Sequence, residues 1–136
     1  MKNLATALYA KIAGSAFSTS IGGRLYQARA PQGVTWPYAV YYLISDVPRD
    51  TFTDRLEEVI VQFSIFSSSS ESTEIEDAFT NLCALYDYCV LTITSATHLL
   101  MDRQGASLTS VPADTEAGTG EYWQYDCDFL VSLKRN

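Results

Sequence analysis

Apolar and polar positions alternate most clearly at the end of the chain, where Trp123, Tyr125, Cys127, Phe129, Val131 and Leu133 fall on one side and Gln124, Asp126, Asp128 and Ser132 on the other. That period of two predicts a strand with one wet face. From Arg55 to Ser67, Val59, Val61, Phe63 and Ile65 alternate with Glu58, Ile60, Gln62 and Ser64, which marks a second half-buried strand whose first set faces the core. Tyr38 to Ser45 is almost wholly apolar and rich in aromatics, as befits a strand covered on both faces or placed in a subunit contact. Val47-Pro48-Arg49-Asp50 is expected to end it.

Two segments change to helical spacing. Leu4, Leu8 and Ile12 recur with Ala5, Ala7 and Ala13 between them, and Gly14 offers an end, so a helix is predicted over Asn3 to Ser15. Ser67 to Ser70 stops the second strand, Ser68 and Glu71 have the spacing of a capping box, and Ile75, Phe79, Leu82, Leu85 or Tyr86, and Cys89 continue at helical spacing. A second helix is expected over Glu71 to Tyr88.

Between the helices, Gly22-Gly23 permits a tight reversal, Leu25 and Tyr26 begin a short extended run, and Pro31, Gly33 and Pro37 hold a rigid loop before the apolar strand. After the second helix, Val90 to Ile93 and His98 to Met101 read as short extended segments, and Gly105 separates the latter from Ala106 to Val111. Pro112 to Gly120 is acidic, contains glycine and is longer than a hairpin needs. It reads as a mobile excursion, either exposed filler or a segment that orders against a partner.

With 136 residues, one domain spanning 1–136 is the expectation, large enough to bury most of its apolar surface without disulfides. The net charge of −7 and pI near 4.5 argue against grip on a phosphate backbone, which needs clustered lysine and arginine. An acidic surface can still line a passage through which DNA slides, because like charges repel. The N-terminus has no continuous apolar core with a cleavage site, and no apolar run is long enough to span a bilayer. The expectation is a soluble protein made in a cytosol, with no membrane partner.

Candidate chemistry is sparse. Cys83, Cys89 and Cys127 leave one cysteine unpaired in any intramolecular scheme and show no Cys-x-x-Cys spacing, so they read as small buried hydrophobes. His98, the single histidine, sits among Leu99, Leu100 and Met101 like a packing residue. Asp126 and Asp128 share a face by parity, but alternating polar residues also make an ordinary outer face. No spacing links them with Asp102 and Asp114 as a calcium loop would. The serine run lacks the Gly-x-Ser-x-Gly elbow, and Gly22-Gly23 lacks the lysine of a phosphate loop. No catalytic residue, metal site or cofactor is therefore assigned. Arg24 reads as structural, its stem lying over apolar surface while its guanidinium pairs with a carboxylate, and a subunit contact is the alternative role.

The order of parts is itself a pattern: amphipathic helix, Gly23-Arg24-Leu25-Tyr26, Ala30-Pro31-Gln32-Gly33, Pro37-Tyr38-Ala39-Val40, long strand, serine-capped helix, acidic loop, final alternating strand. It resembles the tail completion, or tail terminator, proteins of long-tailed, siphovirus-like bacteriophages, over nearly the whole chain. The resemblance implies an α+β subunit with two α-helices packed on a mostly antiparallel β-sheet. It also implies a homo-oligomeric ring, a hexamer, that caps the finished tail tube, ends tail polymerisation and offers a surface to the head connector protein. Such a protein belongs to the tail and neck of the virion, assembles in the host cytoplasm, and meets DNA only as passing cargo. No catalytic residue is carried over, because that family is structural. The interface residues expected are Arg24, Tyr38, Tyr41 and Tyr42, since tyrosine is enriched in interfaces, together with Asp114, Thr115 and Glu116 of the acidic loop. The alternatives are a head–tail connector or other neck component and, less in keeping with the residues, a small hydrolase or metal enzyme.

Overall fold

The computed structural model describes residues 2–69, 71–113 and 120–135. Its elements, in chain order, are α1 (Lys2–Lys11), α2 (Ala16–Ser20), β1 (Leu25–Gln27), β2 (Tyr38–Pro48), β3 (Arg55–Ser67), α3 (Thr73–Tyr86), β4 (Thr92–Ile93), β5 (Ala96–Val111) and β6 (Tyr122–Arg135). The strands form one sheet in the order β1-β2-β3-β6-β5-β4. All pairs are antiparallel except β1 with β2, so the α+β, mostly antiparallel architecture is as expected.

Period two decides which face each strand residue takes. Val59, Val61, Phe63 and Ile65 of β3 and Cys127, Phe129, Val131 and Leu133 of β6 are all buried in one cluster with Leu4 and Leu8 of α1 and Ile75, Leu82 and Tyr86 of α3. The helices therefore cover a single face of the sheet. Polar bonds fix their placement: the Tyr41 hydroxyl donates to the Ala5 carbonyl at 3.3 Å, the Tyr86 hydroxyl to the Leu8 carbonyl at 2.6 Å, and Asn81 Nδ2 to Ser20 Oγ at 2.6 Å.

Several boundaries differ from the sequence pattern, and four of these differences have a local reason. The first helix stops at Lys11 instead of Ser15, because Gly14 turns left-handed at φ 73°. Ser15 then caps a short second helix, its Oγ accepting from the Ser18 amide at 3.1 Å. The predicted capping box does not form: Ser72 stands before α3 without a side-chain cap. Hydroxyls instead reach the first-turn carboxylates, Ser67 Oγ to Glu74 at 2.6 Å and Ser72 Oγ to Glu76 at 3.2 Å, and those acids suit the helix N-terminus electrostatically. Strand β2 runs on to Pro48. Because Arg49 N–H bonds to Leu56 O at 2.8 Å, the nitrogen of the preceding Pro48 points outward, and beyond Tyr41 no strand among the described residues lies on that side, so no ladder bond is lost.

The fourth difference is the largest. Gly105 does not separate two segments but sits inside the single strand β5, paired with Asp128. Bulges between His98 and Leu100 and between Arg103 and Gly105 each insert one residue. The helix-facing positions become His98, Met101, Arg103, Ala106 and Leu108, a series that breaks period two twice.

Candidate assembly surface

Among the described residues, no helix covers the other face of the sheet. At its β1–β2 end the cross-strand register sets Tyr38 beside Phe66, and the rings stack with centroids 4.9 Å apart. Trp36 meets Tyr38 edge-on at 5.0 Å and Tyr122 at 5.2 Å, and Tyr26 approaches Tyr38 at 6.4 Å. These five rings lie half-buried. Val40, on the same face, is 3% exposed yet stands outside the main core, so the uncovered face has a small apolar centre of its own. Burial pushes the Tyr38 phenol pKa up, with the neighbouring Tyr122 and Tyr42 phenols adding to the shift. Tyr38 therefore stays a neutral donor and acceptor at any physiological pH.

The Trp36–Pro37 peptide is cis. Arg24 Nε donates to the Pro37 carbonyl at 2.9 Å, and its guanidinium lies where a side chain on Gly22 would have to go, 2.8 Å from an added Cβ to Cζ. Gly22 also has φ 62°, a left-handed backbone that favours glycine. Arg24 thus ties the Gly22–Gly23 turn to the loop that carries Trp36, through a carbonyl and not through the carboxylate expected of it.

Toward the middle of the face the surface turns polar. Asp126 accepts from Ser64 Oγ at 2.6 Å and from Gln124 Nε2 at 3.0 Å. Gln62 stands across from Asp128. Asp126 and Asp128 are half-buried, as is their neighbour Gln124, so the stripe expected to be wet is only partly so. Among the described residues, no group of three or more histidine, cysteine or acidic side chains could hold a metal ion.

The residues expected at an interface are divided by the fold. Tyr38 and Tyr42 lie half-buried on the uncovered face. Tyr41 points the other way, 3% exposed, into the core beneath α1, and has no surface to offer; burial raises its phenol pKa, with Tyr9 adding to the effect. Asp114, Thr115 and Glu116 lie outside the described residues. Trp36, Phe66 and Tyr122, which complete the cluster, come from a loop and two further strands. Only register unites them, and the sequence carried no signal for it beyond Trp36 standing two residues before Tyr38.

The remaining candidates have structural partners. His98 Nδ1 accepts from the Leu91 amide at 3.2 Å, and burial lowers its pKa, so the ring is neutral and pins the segment before β4. Cys83, Cys89 and Cys127 are free thiols. Cys83 is more than a small hydrophobe: Arg103 Nη1 donates to its sulfur at 2.7 Å, while the same guanidinium pairs with Asp87 at 3.6 Å and stands over the Phe79 ring. Burial raises the Cys83 pKa, with Arg103 opposing.

Cys127 is 1% exposed, and burial above all pushes its thiol up to about 12, with Cys83 contributing and Arg103 opposing. In the unfolded chain the thiol ionises near 9.0. Between those values the unfolded state has already released a proton that the folded state holds, so stability falls as pH rises from about 9. Melting curves at rising pH should show that decline, weakened in Cys127→Ala. A melting temperature flat from pH 8 to 11 would contradict it.

The sequence profile of a family described as Tail completion protein gp17 matches residues 6–82. That span runs from α1 to the middle of α3 and exceeds half the chain. No curated protein matches. Among solved structures, a chain from the virion of a native gene transfer agent particle superposes with a TM-score of 0.83 at 13% sequence identity, over 98% of this chain and 96% of that one. At that identity the likeness is one of fold.

Proposed function

This chain belongs to the tail completion protein gp17 family, and from that membership we propose that copies of it form a ring on the end of a finished tail tube. The protein is a structural phage tail protein. In our reading the ring, a hexamer, stops tube polymerisation and presents a surface to the head connector protein, and DNA passes through as cargo. All 136 residues act as one domain, and the protein is an assembly component instead of an enzyme. Its place is the tail and neck of the virion, after assembly in the host cytoplasm. The virion origin of the similarly folded gene transfer agent chain supports that placement.

The observation that carries the reading is the family match over residues 6–82. The uncovered sheet face adds a surface of fitting character, since clustered tyrosine and tryptophan with a polar surround is the composition of interface centres. Arg24 holds that surface in place, Tyr38 and Tyr42 stand on it, and the acidic loop with Asp114, Thr115 and Glu116 is a second contact in this proposal. Mixing the purified protein with tail tubes and, separately, with DNA-filled heads is the direct test. Negative-stain images should show rings at tube ends and tails of uniform length. Binding to heads alone would make the protein a neck component. In the same assay Tyr42→Ala should keep its melting temperature within about 5 °C, as expected for a half-exposed site, while lowering the fraction of capped tubes.

A further inference from the structure

From the two exposed edges of the sheet we infer that neighbouring copies join edge to edge, the β2 edge of one against the segment alongside β5 in the next. This rests on the ring proposed above and names its contact. Strand β1 pairs with β2 only at Ala39, Val40 and Tyr41, so among the described residues β2 is an edge strand from Tyr42 onward, a template for association. On that stretch Ile44 and Val47 are 54% and 39% exposed. At the far edge, residues 88–91 run beside β5, held by Tyr88 N–H to Met101 O at 3.0 Å and by the Leu91–His98 bond. There Val90 and Leu99 are 76% and 52% exposed. Side chains of this kind exposed together mark a contact surface.

Two complementary patches on opposite edges are what a head-to-tail contact requires, whereas a twofold contact needs only one patch. Charge agrees. Asp46 lies on the β2 edge between Ile44 and Val47, and Lys11 reaches Val90 at the other edge, Nζ to its carbonyl at 3.4 Å. Among the described residues neither charge has an ion-pair partner. The register adds the geometry of closure. Val47 pairs with Glu58, Glu58 with Ser132, and Ser132 with Leu100, so the two patches end the same transverse row of the sheet. A contact joining the ends of one row adds no displacement along the strands, and with strands running along the ring axis it closes instead of climbing into a filament.

Charge reversal tests the pairing. Asp46→Lys and Lys11→Asp should each weaken self-association at least about tenfold, since like charges brought together at an interface are strongly unfavourable. The effect would be followed by sedimentation velocity of the protein alone and on tail tubes, with melting temperature as the control for folding. An equimolar mixture of the two variants should assemble again, because every altered edge then finds an opposite charge. Val90→Glu should weaken assembly without rescue by Asp46→Val. Variants that assemble like the wild type, or a mixture that stays dissociated, would overturn this contact and leave the ring intact. A wild-type protein that remains monomeric both alone and on tubes would overturn the ring and this contact together.

Discussion

Phe63→Asp is expected to leave no folded protein. Phe63 is fully buried at the centre of β3, stacked on Tyr86 at 4.8 Å and on Tyr41 at 5.9 Å, with Phe129 edge-on at 5.8 Å. A carboxylate there would be buried among aromatic rings, which costs several kcal/mol on top of the lost ring, against a total stability of about 5–15 kcal/mol. Gln62→Asp, one residue away, points to the uncovered face opposite Asp128. Like charges across a ladder cost no more than about 1 kcal/mol, so that variant should fold. Circular dichroism melts would separate the two, and equal losses would mean that the faces of β3 are assigned the wrong way round.

Tyr86→Ala should be the next most damaging change. The ring is 0% exposed, lies between Phe63 and Phe129, and its hydroxyl ties the end of α3 to α1 through the Leu8 carbonyl at 2.6 Å. Removing a buried aromatic side chain costs about 3–5 kcal/mol. Tyr86→Phe keeps the ring and leaves the carbonyl without its donor, a loss of about 1–3 kcal/mol. Urea denaturation of the pair divides the packing contribution from the hydrogen bond. If Tyr86→Phe proved as damaging as Tyr86→Ala, the bond to α1, and not the ring, would dominate at this site.

Much of the fold was legible in the residues because local periodicity and burial coincide. In β3 and β6 the alternation of Val59 to Ile65 and of Cys127 to Leu133 marks the buried face correctly, since both strands lie inside the sheet with one face against helices. In α1 and α3 the spacing of Leu4 and Leu8 and of Ile75 and Leu82 does the same. Strand β5 was not legible: its two bulges shift the inward positions out of phase, and no window of period two spans them. The apolar run from Tyr38 pointed to a strand covered on both faces or placed in a subunit contact; Val40 and Tyr41, each 3% exposed on opposite sides, are covered on both faces, while Tyr38 and Tyr42 are half-buried and Ile44 is exposed.

The candidate surface divides in the same way. Composition and pattern alone determined that this chain builds an α+β core of alternating strands under amphipathic helices, that it is acidic, and that it lacks a spaced catalytic or metal motif. These properties depend on neighbours in sequence, whose relation the backbone period sets. Tertiary structure alone decided that Tyr38 joins Trp36, Phe66 and Tyr122 on an uncovered face, that Tyr41 turns inward, and that Arg24 serves a carbonyl. It alone also brought the Val47 and Leu100 edges to the two ends of one row. The reason is strand register: a shift of one residue turns every side chain to the other face, and register is settled by turns, bulges and packing across the whole sheet.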